Sequence, residues 1–151
     1  MESHKITIRV RYQETDGQGI VHHGNYLTYF EKARIESLRE IGISYRDVEN
    51  AGLFLVVAKA ELNYYQPAYF DDELEIETKI LSAKGAAIVH QYTITRGEEI
   101  IMSGTTRVGC LTKDGKVTRV PKWLGGKGCL LYTSDAADEG LGVDLGGRRI
   151  I

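Results

Sequence analysis

Only one stretch of this chain carries a sustained helical period, and runs patterned as strands surround it. From Asn25, the apolar residues Tyr26, Phe30 and Ala33 recur at i, i+4 and i+7, and Leu27, Leu38 and Ile41 widen the stripe. Glu31, Lys32, Glu36, Arg39 and Glu40 share the opposite side, and Gly42 is a natural stop. The spacing predicts a helix over 25–41, roughly 25 Å long at 1.5 Å per residue. Upstream, "HKITIRVRY" alternates, with Ile6, Ile8 and Val10 on one face, as a half-buried strand does. Downstream, "ISYRDVENAG" reads as a short helical turn. Four β-rich runs follow: "LFLVVAKAELNYY", "DELEIETKILSA", "GAAIVHQYTITR" and "EEIIMSGTTRVGCLT". Turn signals "QPAYFDD", "SAKG" and "RGEE" separate them, and Asp114-Gly115 marks a final hairpin. One strand, one long helix and then four long strands predict an α+β domain, a single antiparallel sheet wrapped around one helix. A helix apolar over much of its girth suits such wrapping.

The bulk properties narrow the function classes. A chain of 151 residues is one domain's worth. A formal net charge of −2 gives no electrostatic case for nucleic acid or an anionic membrane. "MESHKITIRV" lacks the apolar core of a signal peptide, and no apolar run reaches the roughly 18 residues of a membrane span. Cys110 and Cys129 are too few for a disulfide scaffold or a cysteine-only zinc site, which favours a reducing, cytoplasmic setting. The last segment is different in kind. From about Gly125 the chain is glycine-rich without sustained period, and "LLYTSDAADE" and "VDLGGRRII" resemble translated adapter DNA from transposon-based sequencing libraries. A flexible tail is the alternative; the expected organisation is a domain over 1–124 and a non-native tail over 125–151.

The chemistry is concentrated in "YQETDGQGIVHHGNY", just before the helix. The first N–H groups of a helix lack intrahelical acceptors, and the macrodipole places partial positive charge there. Such groups can polarise a carbonyl or hold an oxyanion, and Gly24 allows close approach to the backbone. Asp16, flanked by Gly17 and Gly19, can place a carboxylate beside whatever the helix start holds. An acid and an oxyanion site together suit acyl transfer or proton abstraction next to a carbonyl. The plain alternative is that "TDGQG" is a turn and "HHGN" a cap, as most short Asp/Gly/Asn clusters are. A metal site built from His22, His23, Asp16 and a distant His90 fits poorly. Adjacent histidines project apart, and no HxxxH or HExxH spacing is present.

"RVRYQETDGQGIVHHGNYLTYFEKARIESLREIGISY" resembles the N-terminal signature of hotdog-fold acyl-CoA thioesterases of the 4-hydroxybenzoyl-CoA thioesterase type, which include the short-chain thioesterases associated with the Tol–Pal system. The matching residues are Tyr12, Thr15-Asp16, Gly19, Val21, His23, Asn25-Tyr26, Phe30-Glu31, Ala33-Arg34 and Leu38. "AELNYYQPAYFDDELEIET" resembles a second recurring segment, so the likeness covers about residues 6–123. It implies a hotdog fold, a homodimer or homotetramer with active sites at the subunit interface, and an acyl-CoA substrate hydrolysed to a free acid and CoA. No cofactor is implied, since coenzyme A belongs to the substrate, and no metal. Asp16 falls on the catalytic acid, His23 on a helix-start position, and Tyr12 on an upstream helper tyrosine. The N–H groups of His23, Gly24 and Asn25 would polarise the thioester carbonyl. His22 stands where many members have tyrosine or phenylalanine and receives no catalytic role. Gly24 replaces a more usual alanine.

Other residues divide between site and scaffold. Asn63 and Tyr64 are candidates for substrate binding or an interface, with core or edge positions as the alternative. Asp71-Asp72 reads as a turn, His90 as a sheet residue, and Cys110 as a small buried hydrophobe rather than a nucleophile. Glu31 and Arg34 read as helix-surface charges or partner contacts. Lys113, Lys116, Arg119 and Lys122 can meet CoA phosphates or simply face solvent. Two other functions stay open beside hydrolysis: a non-catalytic acyl-CoA-binding or regulatory hotdog, and a hotdog hydratase or dehydratase. The first has no need of Asp16 and His23 together. The second lacks here a histidine motif on the central helix.

Overall fold

The computed structural model describes residues 3–124 and the strand pair residues Tyr132–Thr133. The strand-patterned runs become β1 (Ser3–Arg9), β2 (Leu53–Tyr64), β3 (Glu73–Lys84), β4 (Ala87–Arg96) and β5 (Glu99–Thr112). The helical period becomes α1 (Asn25–Glu40), and the short turn becomes α2 (Tyr45–Asn50), capped by Ser44 accepting from the Asp47 N–H. The strands form one sheet in the order β1-β3-β4-β5-β2, every pair along that path antiparallel. This is the expected α+β hotdog, with α1 lying against the sheet. Of the segment 125–151, only β6 (Tyr132–Thr133) is described, its backbone pairing parallel with Ala83 and Lys84 of β3. The expectation of a non-native tail otherwise lies outside the described residues.

The helix is fixed by a narrow face. Tyr26, Tyr29, Phe30 and Ala33 are buried, and the Phe30 ring stacks on Tyr92 of β4 at 3.9 Å. Gly104 of β5 makes that contact possible. A Cβ there would stand 2.7 Å from the Glu61 carbonyl oxygen and 3.0 Å from the Phe30 ring. Burying each such aromatic contributes roughly 1.5–3 kcal/mol relative to exposure. The stripe is narrower than its period suggests, because Leu27 is 43% exposed. It fronts an open space between α1 and the sheet instead of packing in the core.

The final hairpin is also shorter than expected. Gly115 takes the positive φ of +83° that the turn needs. The returning arm, however, makes only the bridge Leu111–Val117. Beyond it the chain turns away, and the Val120 N–H donates to the Gly85 carbonyl at 2.8 Å. Val120 and Leu124 then bury completely beside Ala83, Ile88 and Cys110.

Candidate active site

Asp16 sits at the tip of a tight hairpin. Its N–H donates to the Ile20 carbonyl at 2.8 Å, and the Gly19 N–H donates back to the Asp16 carbonyl at 2.9 Å. Gly19 adopts φ +82°, which closes the turn. One carboxylate oxygen, Oδ1, accepts from the Gln18 N–H at 2.8 Å, an Asx turn that orients the side chain. The other oxygen has no partner among the described residues. The side chain is half-buried, so its free oxygen is held in one place yet reachable.

The hairpin is tied to the start of α1 by Glu14. The Glu14 carbonyl accepts from the His22 N–H at 2.9 Å and from Asn25 Nδ2 at 2.7 Å. Its carboxylate accepts from the Arg11 N–H at 2.8 Å, from Arg11 Nε at 3.1 Å and from the Tyr29 hydroxyl at 2.8 Å. Burial works against that charge, but the Arg11 N–H, the Tyr29 hydroxyl and the guanidinium outweigh it and hold Glu14 below its ordinary value. The same arrangement raises Tyr29 through burial first and Glu14 second, so its hydroxyl stays a donor. Burial also pushes Tyr26 up to about 12. Nothing in the sequence singles out Glu14. The spacing of Arg11 and Glu14, three residues apart, is the only local sign of the turn they close. Tyr29 lies 15 residues further on.

The helix start uses some of its own donors. The Gly24 N–H donates to His22 Nδ1 at 3.0 Å, and the Asn25 N–H donates to the His22 carbonyl at 2.9 Å. Two of the three N–H groups expected to polarise a carbonyl are therefore engaged. The His23 N–H and the Tyr26 N–H have no partner among the described residues. His22 thus has a structural part, as a cap. His23 is exposed, and its ring stacks on that of His22 at 4.1 Å. The Tyr64 hydroxyl donates to the His23 carbonyl at 3.1 Å, and its ring meets Tyr26 edge-on. Tyr64 therefore joins the helix start. Asn63 does not, because strand alternation sends it to the other face of the sheet from Leu62 and Tyr64. Tyr12 is 75% exposed and packs edge-on against Phe70.

A second tie runs to the β2–β3 connection. The Val21 N–H donates to the Ala68 carbonyl at 2.8 Å, and Ile20 bridges Tyr69. Arg96 fastens that connection, reaching Asp72 at 2.7 Å and the Pro67 carbonyl at 3.1 Å. The expected turn at Asp71-Asp72 is present, with Asp71 at φ +71° and Asp72 accepting from the Tyr69 N–H. His90 lies on β4 as expected and is buried. No three His, Cys, Asp or Glu side chains converge among the described residues. Cys110 is buried, and burial raises its thiol to about 11, far from nucleophilic. Lys113, Lys116, Arg119 and Lys122 are all exposed.

An acid on a hairpin that is tied to a helix start with free N–H groups is equipment for attack on a carbonyl. Residues 10–128 match the model of the thioesterase-like superfamily. The chain belongs to that family. It is 36% identical over 96 residues to the acyl-CoA thioester hydrolase YbgC of Escherichia coli O6:H1, covering 64% of this chain and 72% of the relative. It is 34% identical over 105 residues to the acyl-CoA thioesterase YbgC of Haemophilus influenzae, covering 69% and 77%. The crystal structure of DHNA-CoA thioesterase from Staphylococcus aureus superposes with a TM-score of 0.73 at 30% identity, over 76% of this chain and 77% of that one.

Proposed function

We propose that this thioesterase-family protein hydrolyses acyl-CoA thioesters, releasing a carboxylic acid and CoA, with Asp16 and the start of α1 as its working parts. The observation that carries the reading is the free carboxylate oxygen of Asp16, oriented by the Gln18 N–H on a hairpin that Glu14 fastens to α1. The thioester oxygen is assigned to the His23 and Tyr26 N–H groups, where the helix dipole favours negative charge. Asp16 either takes a proton from water, whose oxygen attacks the carbonyl carbon, or attacks that carbon itself to give a mixed anhydride. In both routes the C–S bond breaks as the oxyanion collapses and the CoA sulfur takes up a proton; in the covalent route water then opens the anhydride, releasing the acid and restoring the Asp16 carboxylate. His23 is assigned to the departing thiolate, supported by its exposed ring at the helix start. Tyr12 and Tyr64 are assigned contacts with substrate around the carbonyl. The exposed lysines and Arg119 suit the CoA phosphates. The reaction needs no cofactor beyond its substrate and belongs in a reducing cytoplasm.

The assembly assigned here is at least a dimer formed through β2, with the site shared between subunits. β2 is an outer strand of the sheet, and its run Leu53, Phe54, Leu55 and Val57 stays half-exposed in one copy. Tyr64, Tyr65, Tyr69 and Phe70 are exposed as well. A two-fold contact would cover the same patch twice. Light scattering at micromolar concentration should give a dimer or larger, and a fully active monomer would rule the shared site out.

A thiol-release assay over a panel of acyl-CoAs tests the activity. Asp16→Asn should lower turnover by about a hundredfold or more with the melting temperature kept. Binding of acyl-CoA without thiol release, or a near-normal rate for Asp16→Asn, defeats the assignment. Single turnover in oxygen-labelled water identifies the covalent route if label enters the Asp16 carboxylate, which happens when water opens the anhydride at the aspartyl carbon.

A further inference from the structure

His22 joins the Asp16 hairpin to the start of α1 through its backbone. Its N–H donates to the Glu14 carbonyl at 2.9 Å, and its own carbonyl accepts from the Asn25 N–H at 2.9 Å. The base of the side chain is therefore fixed from both sides. The ring then folds forward over residue 24, where Nδ1 accepts from the Gly24 N–H at 3.0 Å. A side-chain acceptor two residues before its donor is the geometry of an Asx turn, made here with an imidazole. Folded this way, the ring lays one face against His23, with 4.1 Å between centroids and 27° between planes.

Gly24 is a second, independent sign that the chain is shaped around this ring. Its backbone, at φ −72° and ψ −21°, is ordinary right-handed helix, which any residue adopts. Conformation therefore does not call for glycine here, but space does. A Cβ on residue 24 would stand 3.3 Å from His22 Nδ1 and 3.4 Å from Cε1, so the ring would have to give way by a few tenths of an ångström. The pressure would fall on the very atom that accepts the hydrogen bond. His23 is the opposite case. Its carbonyl accepts from the Tyr64 hydroxyl at 3.1 Å, but its ring forms no hydrogen bond or ion pair among the described residues. The stacked face of His22 is the aromatic contact that limits where the His23 ring can turn.

We propose that His22 is a positioning residue for hydrolysis: the Gly24 N–H locks its ring, and the locked ring holds the His23 imidazole in the orientation that serves the departing thiolate. The proposal rests on the hydrolase reading above, in which His23 attends the leaving group. An unrestrained imidazole divides its time among staggered χ1 wells, and only the well that faces the sulfur can donate to it. Turnover then scales with the fraction of time spent in that well. One stacked aromatic contact shifts such a balance by about threefold to tenfold. His22 touches no reacting atom in this account and acts through His23.

The test takes the lock and the stacked face apart, reading kcat and KM for an acyl-CoA that the wild-type protein hydrolyses, with a melting curve for each variant. His22→Asn keeps an acceptor for the Gly24 N–H but removes the ring. It should lower kcat by about threefold to tenfold, with KM and Tm close to wild type. His22→Phe keeps a ring but removes the acceptor, and should also lower kcat. Gly24→Ala should lower kcat when His22 is present and have little effect in the His22→Asn protein, which has no ring to displace. The deciding measurement is His22→Asn in a His23→Ala background, where no further fall in kcat is expected, since the two residues act as one unit. If His22→Asn does not fold, His22→Phe takes its place in that comparison. A wild-type kcat for His22→Asn, a loss confined to KM or Tm, or a further fall of the same size in the His23→Ala background overturns the proposal while leaving the hydrolase intact. So does a wild-type rate for His23→Ala alone. A protein that releases thiol from no acyl-CoA overturns both readings.

Discussion

The two faces of α1 follow opposite rules. One face carries Tyr26, Tyr29, Phe30 and Ala33, all buried against the sheet, with Gly104 hollowed out beneath the Phe30 ring. The other carries Leu27, Thr28, Glu31, Arg34 and Ile35, and it looks across about 820 Å³ of space. The packed face fixes where the helix lies and so where its first N–H groups point. The open face leaves room beside those groups for something that is not part of the subunit's own core. One helix therefore supplies both the rigid mount of the site and one wall of its pocket, and the two duties separate by residue.

Truncation on the packed face should do the most damage. Phe30→Ala removes a fully buried ring stacked on Tyr92 and should cost about 3–5 kcal/mol in urea unfolding. Ile35→Ala on the cavity side should cost much less, because Ile35 is only partly buried. Equal losses would erase the distinction between the faces.

The same division marks what sequence alone could reveal. Strand alternation and the single helical period reveal every long element, since each pattern is local. The hairpin at Asp16 and the stop near Gly42 are likewise written in neighbouring residues. What stays hidden depends on contacts far apart in the chain. Leu27 fits the apolar period but faces the cavity, because the sheet does not close over that side. Glu14 looks like one more charge until Tyr29 folds back onto it. Arg34 reads as a surface residue until β4 brings Tyr92 beneath it. His22 reads as a site candidate or a blank, and becomes a cap only when its ring meets the Gly24 N–H.

Glu14 sharpens the comparison from the packed side, because it joins Tyr29 to the hairpin that carries Asp16. Glu14→Gln keeps an acceptor but loses the charge, and should destabilise by about 1–2 kcal/mol with a fall in turnover. The pH dependence of stability is the deciding readout for the charge. The folded-state pKa of Glu14 is depressed, so its contribution is present above the unfolded value of 4.5 and is lost as pH falls through the lower folded value. Wild-type protein should lose stability over that acid range, and Glu14→Gln should lose less. Identical acid limbs would remove Glu14 from the tie.

The smallest effect is expected on the cavity side, from His90. Burial, with Arg34 behind it, lowers its pKa from 6.5 to about 3. The folded protein therefore keeps His90 neutral while the unfolded chain takes up a proton as pH falls through 6.5. Stability from this residue is fully present above that value and declines steadily down to about 3. Between pH 7 and pH 6 the loss is roughly 0.7 kcal/mol, set by protonation of the unfolded chain. His90→Phe should flatten the slope in that window by this amount, read as the difference in urea midpoints at the two pH values. A wild-type slope no steeper than that of His90→Phe would mean that His90 titrates as an exposed histidine, and that the inner end of the cavity is as wet as its mouth.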